Sequence, residues 1–277
     1  MIISKEILTT TVAQNNNLHS AKRNKNDEFY TQLSDIEKEL SNYKEHFKDK
    51  VVYCNCDTEE SNFYKYFVDN YTELGLKGLL RSSLADDIPF QSEVGIKLLK
   101  QADIVCSNPP FSSFCEYTAQ LIEHDKRFLI IGNFNAVTYK EIFPLIKNNK
   151  MWLGVSPRSM SFVLPSGDIK QVNACWYTNL SHKKRNEELI LFRKYTGHEE
   201  EYPKYDNYDA IEISKVINIP MDYDGIMGVP ITFLDKYNPE QFKILGIANS
   251  ARWIGYECLT VLNGKKVYNR ILIRRKK

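Results

Sequence analysis

The chain has no apolar run long enough to cross a membrane. Its first seventeen residues are mostly polar and lack the sustained apolar core of a secretory leader. Metal-type cysteine pairing is absent too. The six cysteines, Cys54, Cys56, Cys106, Cys115, Cys175 and Cys258, sit mostly in apolar segments, and no second half-site answers Cys54 and Cys56. They read as reduced, packed thiols of a cytoplasmic protein that holds no metal. No internal repeat is present, which excludes solenoids and propellers. Charge of one sign is scarce: a net +2 and a pI near 8.1 neither demand nor exclude nucleic acid. What remains is 277 residues, 43% hydrophobic and 26% charged, enough for one large domain or one with a smaller lobe.

One stretch organises the rest, Asp103-Ile104-Val105-Cys106-Ser107-Asn108-Pro109-Pro110-Phe111. Its first part is a short buried strand, apolar and bounded by turn formers. Two prolines then stop it, since neither can continue a ladder, and Asn108 is held extended by the proline after it. The stiff corner presents the Asn108 amide, the Pro109 carbonyl and the Phe111 ring. Two acceptors beside an aromatic face suit a planar ring carrying an exocyclic amino group. Fixing that group's protons favours a more tetrahedral nitrogen whose lone pair can attack a methyl donor in line, so no strong base is needed beforehand. The bland alternative is a proline-stiffened turn with Phe111 in the core.

Around this corner, strands alternate with helices. Ser34 and Glu37 read as a capping box for a helix carrying Leu33, Ile36, Leu40, Tyr43 and Phe47. Val51–Asn55 is a strand, 58–74 a helix stopped by Gly75, and 77–81 a strand. A helix at 92–100 turns Val94, Leu98 and Leu99 inward; one at 112–123 carries Phe114, Cys115, Thr118, Leu121 and Ile122; 127–131 is a strand. This alternation indicates a parallel sheet covered on both faces, whose ligands bind beyond the strands' carboxyl ends where strand order reverses. If the strands at 51–55 and 104–107 are neighbours there, Asp57 and Asn108 flank one crevice. From Met151 onward, short strands without comparable helices are expected at 152–155, 161–164, 172–179, 211–219, 226–234, 242–248, 253–262 and 265–273. Asn263-Gly264 marks a hairpin between the last two. Lys22, Arg23 and Lys25 form a basic cluster that is either a solvated tail or a phosphate contact.

Several of these segments together resemble the EcoRI-type adenine-specific DNA methyltransferases. The likeness is carried by Asn26-Asp27-Glu28-Phe29-Tyr30-Thr31-Gln32, by Val52-Tyr53-Cys54-Asn55-Cys56-Asp57 with Ser61-Asn62-Phe63, and by Asn108-Pro109-Pro110-Phe111. It continues in Gly228-Val229-Pro230-Ile231-Thr232-Phe233-Leu234 and the closing hairpin. The resemblance implies a Rossmann-like class I methyltransferase fold of the α/β class with a C-terminal β-rich target-recognition lobe. It implies S-adenosyl-L-methionine as donor and N6 of an adenine, flipped out of duplex DNA, as acceptor. By that likeness Asn108, Pro109, Pro110 and Phe111 are the catalytic motif. Asp27, Glu28, Phe29, Tyr30 and Thr31 contact the cofactor, together with Cys54, Asn55 and Asp57 in place of the usual glycine-rich loop. Asp86 or Asp87, in the next loop, either hydrogen-bonds the cofactor's adenine amino group or is a solvated turn carboxylate. The first loop lacks Gly-x-Gly, and Arg81-Ser82-Ser83 offers no acid for the ribose hydroxyls.

The division expected is a flexible arm at 1–20, a catalytic core at 21–180 and a DNA-contact region at 181–277. Arg158, Lys183, Arg185, Arg252, Lys265, Arg270, Arg274 and Arg275 are the DNA-contact candidates. The partner is double-stranded DNA, with a restriction endonuclease acting on the same site without binding the enzyme, or none in an orphan or phage methylase. A monomer is favoured over an oligomer. Competing readings are methylation of a protein glutamine or an RNA base amine by the same corner, and a DNA-binding homologue that has lost catalysis.

Overall fold

The computed structural model describes residues 30–164, 166–249 and 259–276. In chain order the elements used below are β1 (Tyr30–Thr31), α1 (Leu33–Leu40), β2 (Val51–Asn55), α2 (Asn62–Asp69), β3 (Gly78–Ser82), α3 (Glu93–Gln101), β4 (Ile104–Ser107), α4 (Phe114–Glu123) and β5 (Arg127–Asn133). Next come β6 (Trp152–Leu153), β7 (Met160–Val163), β8 (Ile169–Val172), β9 (Ala174–Thr178), β10 (Ala210–Glu212), β11 (Ile226–Pro230), β12 (Phe242–Ala248), β13 (Val261–Leu262), β14 (Lys265–Lys266) and β15 (Arg270–Arg275). They fall into two units. One takes in Glu45–Asn133, Ser159–Ala174 and the chain up to Lys38; the other takes in Glu39–Lys44, Phe134–Arg158 and Cys175–Lys277.

In the first unit β3, β2, β4 and β5 lie side by side in that order, all parallel. The strand order reverses between β2 and β4, where Val52 faces Ile104 and Tyr53 faces Val105. All four residues of β4 are buried, as a strand covered on both faces requires. Asp103 at its start accepts a 2.8 Å hydrogen bond from the Val51 amide, which helps set the register. The covering helices depart in detail from the periodicity. In α3 Val94 is 53% exposed while Gly95 and Leu99 are buried. A Cβ at Gly95 would stand 2.6 Å from the Pro89 carbonyl, so the helix packs there through its backbone. In α4 the inward face is Phe114, Tyr117, Thr118 and Leu121, one step round from the expected Cys115 and Ile122. Helix α1 starts with the Gln32 carbonyl accepting from the Asp35 and Ile36 amides, so Ser34 lies inside the helix and no capping box forms. Beside the parallel sheet, β1, β7 and β8 make a small antiparallel one, with Thr31 opposite Phe162.

In the second unit β10, β11, β15 and β12 form a sheet in that order. The expected strand at 211–219 ends at Glu212, and a single 3-10 turn follows at Val216–Asn218. The one at 226–234 ends at Pro230, which cannot donate to a ladder. The hairpin at Asn263-Gly264 joins β13 to β14 with φ of 51° and 74°, the doubly positive pair of a type I′ turn. Glu39 is wholly buried here. Its carboxylate accepts from the Val155 amide (2.8 Å), the Ser156 amide (2.7 Å) and the Tyr43 hydroxyl (2.8 Å). No described helix is long and apolar enough to cross a membrane, and the five described cysteines form no disulfides.

Candidate active site

The carboxyl ends of β2 and β4 open onto a cavity of about 800 Å³ within the first unit. The chain leaves β2 through Cys56, whose φ of 102° is a backbone state that side chains rarely adopt. The Cys56 and Asp57 amides both donate to the Ser82 carbonyl, at 2.8 and 3.0 Å, which locks this turn to the end of β3. A cysteine thus takes a bend that glycine takes more easily. Ser61 caps α2, its hydroxyl oxygen accepting from the Phe63 amide at 3.2 Å, and the same hydroxyl donates to Asp57 Oδ1 at 2.5 Å. The helix therefore begins at 62 rather than 58, because Thr58, Glu60 and Ser61 are spent on the cavity wall.

Asp57 is 5% exposed. Its Oδ2 accepts from Ser107 Oγ at 2.7 Å, so the turn after β2 and the last residue of β4 are joined directly. Burial pushes the Asp57 carboxyl up to about 6, against the opposing pull of its bonds from Ser107 and Ser61. Ser107 Oγ also lies 2.7 Å from the Asn55 carbonyl. The Tyr117 hydroxyl donates to Asn55 Oδ1, and burial raises that phenol well above its ordinary range.

The expected site residues separate into groups. Tyr30, Thr31, Asp57, Asn108 and Pro110 line the cavity, together with Cys56, which had not been singled out. Asn108 is half-buried, not turned into the core, and Phe111 meets Phe162 edge-on at 6.2 Å. Pro109 is buried. Cys54 and Asn55 are buried and lie outside the lining. Asp86 lies outside it as well. One of its oxygens serves both Arg81 (2.7 Å) and Ser83 (2.8 Å), and this holds its carboxyl below the usual range. Asp27, Glu28, Phe29, Arg252 and the basic cluster at 22–25 lie outside the described residues. Ser61, Asn62 and Phe63, which help carry the resemblance, line the cavity too; other parts of the wall come from residues that carried no motif, among them Glu60, Ser83, Leu84, Phe90 and Glu116. The position of the 83–91 loop, directly after a strand of the parallel sheet, could have pointed to Ser83, Leu84 and Phe90, but not to Glu60 or Glu116.

The DNA-contact candidates separate likewise within the second unit. Arg185 stacks 4.0 Å from the Trp152 ring and donates to Asn149, and burial lowers it to about 10. Arg158 pairs with Asp235 at 2.9 Å and lies 4.3 Å from the Phe134 ring. Arg270 donates to both oxygens of Glu212, which is 8% exposed and also accepts from the Tyr205 hydroxyl. The Arg275 guanidinium reaches the Met221 carbonyl. Lys183, Lys265 and Arg274 are exposed.

A cavity where the strand order of a parallel sheet reverses, lined by Asn108 and Pro110 though not by Pro109 or Phe111, is where α/β enzymes bind their ligands, and the class here is that of the methyltransferases. The family model described as adenine-specific methyltransferase EcoRI matches residues 17–88, 81–168 and 166–276. The chain belongs to that family of adenine-specific DNA methyltransferases. It is 46% identical to the type II methyltransferase M.EcoRI of Escherichia coli, over 96% of this chain and 98% of that one. It is 35% identical to M.MgeORF184P of Mycoplasma genitalium, over 92% and 97%, and 39% identical to M.MpnI of Mycoplasma pneumoniae, over 81% and 83%. No solved structure gives a significant match.

Proposed function

We propose that this cavity holds S-adenosylmethionine against a Rossmann-like class I core, and that the chain methylates N6 of an adenine everted from duplex DNA. The observation that carries the reading is the charge of the wall. Its described residues include Asp57, Glu60 and Glu116 and no lysine or arginine. A dinucleotide or nucleoside triphosphate would bring phosphates against three carboxylates with no cation to meet them, whereas a sulfonium is attracted. When bound, this group supplies a methyl carbon on positively charged sulfur, open to attack from the far side.

The protein's own residues do the rest by position. The Asn108 amide oxygen and the Pro109 carbonyl accept hydrogen bonds from the two N–H groups of the adenine amino group and turn its lone pair toward the methyl carbon; as the bond to carbon forms, the nitrogen becomes acidic and gives one of those protons up to water. Phe111 offers a face for the purine, and its neighbour Phe162 limits where that ring can stand. Tyr30, Thr31, Cys56 and Asp57 hold the donor's side of the cavity, with Asp27, Glu28 and Phe29 preceding them in the chain. Eversion of the base, needed because N6 lies inside the stacked duplex, draws on the β-rich 181–277 region. There Lys183, Lys265, Arg274 and Arg275 meet phosphates, while Arg158, Arg185 and Arg270 brace the surface behind them. The setting is the cytoplasm, with a restriction endonuclease for the same site as the natural counterpart.

Transfer of labelled methyl from S-adenosylmethionine to plasmid DNA, followed by mapping of the modified positions, tests base, atom and site together. Asn108→Ala should cut transfer by about 10²-fold or more while leaving donor affinity largely intact. Undiminished turnover by that variant would refute the assignment.

A further inference from the structure

Between Asp57 and Asn108 stands a hydroxyl with more acceptors than protons. Ser107 Oγ lies 2.7 Å from the Asn55 carbonyl and 2.7 Å from Asp57 Oδ2, and a serine has one proton to give. The other hydroxyl near the Asn55 carbonyl, that of Tyr117 at 3.5 Å, already gives its proton to Asn55 Oδ1, so the carbonyl and Asp57 compete for the one Ser107 proton. Asp57 Oδ1 is already held by Ser61 at 2.5 Å, which fixes the carboxylate plane and aims Oδ2 at Ser107. Ser107 is wholly buried and directly precedes Asn108.

We propose that Asp57 is a positioning residue for methyl transfer, acting through Ser107 to set the Asn108 corner, and that it does so in its ionised form. A hydroxyl donating to a carboxylate makes a charge-assisted bond, roughly twice as strong as one between neutral groups. Ionised Asp57 draws the Ser107 proton to itself and clamps the end of β4 to the turn that walls the donor's side. Protonated Asp57 gives its own proton to Ser107 Oγ, and Ser107 turns to the Asn55 carbonyl; the clamp is then a neutral contact. Among the described residues, no lysine or arginine lines the cavity beside Asp57. The groups packed around Asp57 are the Cys54 and Cys56 thiols at the end of β2, Cys106 on β4 and Tyr117 on α4, all raised by burial and so neutral at physiological pH. The other charged groups on the cavity wall are Glu60 and Glu116.

This rests on Asn108 as the acceptor for the amino group, and the test separates the two. Single-turnover rates are measured across about pH 5 to 8 for the wild type, Ser107→Ala, Asp57→Asn, their double variant and Asn108→Ala, with donor affinity and thermal midpoint in parallel. Wild-type turnover should fall as pH drops through the Asp57 ionisation. Asp57→Asn keeps a neutral contact to Ser107 and should run about tenfold slower than wild type at the alkaline end, with that inflection gone. Ser107→Ala should lose the same inflection, and the double variant should be no slower than Ser107→Ala alone, because both act through one contact. Multiplied losses in the double variant, or a wild-type pH profile in Ser107→Ala, would overturn the proposal. An active Asn108→Ala would instead overturn the reading beneath it.

Discussion

Replacing Asp57 by asparagine should make the protein more stable at neutral pH. The carboxyl is brought to about 6 from an ordinary 3.8, because burial removes water from the charge faster than two serine hydroxyls replace it. Keeping it ionised in the folded state therefore costs about 3 kcal/mol. An amide fits the same partners: its oxygen accepts from Ser61 and its NH2 donates to Ser107, with no charge to desolvate. Asp57→Asn should thus recover most of that cost above pH 6, a rise of about 5 to 10 °C in thermal midpoint. The sign is fixed by linkage. The folded-state value is raised, so the wild type is relatively most stable below the unfolded value of 3.8. It loses that stability as the unfolded chain ionises alone between 3.8 and about 6, then levels off. Denaturant titrations of both proteins across this window cancel every other titrating group in the difference. A difference that is flat with pH, or a variant less stable at neutral pH, would mean that Asp57 is not desolvated as the structure has it.

Four further changes probe other parts of the chain. Glu39→Ala strips the Val155 and Ser156 amides and the Tyr43 hydroxyl of their acceptor, and should cost about 3 kcal/mol or more in urea denaturation. Cys56→Gly relieves a side chain at φ 102° and should stabilise the fold by roughly 1 kcal/mol, readable as a higher urea midpoint. Arg270→Ala leaves Glu212 buried without its partner and should cost about 3 to 5 kcal/mol. Lys265→Ala combined with Arg274→Ala should leave stability nearly unchanged and lower the slope of log affinity against log salt by roughly 0.9 per lost phosphate contact. An Arg270 variant that altered only the salt slope would return that residue to the DNA surface.

What could be read in advance depended on how far apart the cooperating residues stand. The parallel strands were legible because each is a short apolar run closed by its own neighbours, and the hairpin at Asn263-Gly264 because a dipeptide sets both φ angles. The alternation of elements allowed β2 and β4 to be neighbours without requiring it; their pairing in the sheet meets that condition and puts Asp57 and Asn108 on one cavity. Glu39 was illegible. An acid between Lys38 and Leu40 reads as a solvated helix face until the amides of residues 155 and 156 arrive from elsewhere. Arg158, Arg185 and Arg270 read as surface charge for the same reason, since their partners Asp235, Trp152 and Glu212 are remote in sequence. The loop at 83–91 carries no motif, so nothing local marked the part of the wall that it builds.

Asp57 shows where local reading stops. Its place after the first strand marked it as a cavity residue, and its bond to Ser61, four residues on, is of a kind that spacing alone suggests. The bond to Ser107 crosses fifty residues and exists only because β2 and β4 are neighbours. That contact makes the acid a link between the two halves of the site rather than one more polar group in its wall. If ionised Asp57 costs stability yet positions Asn108, the asparagine variant should be both steadier and slower. Gaining stability while keeping full speed would show that the buried charge has no part in the chemistry.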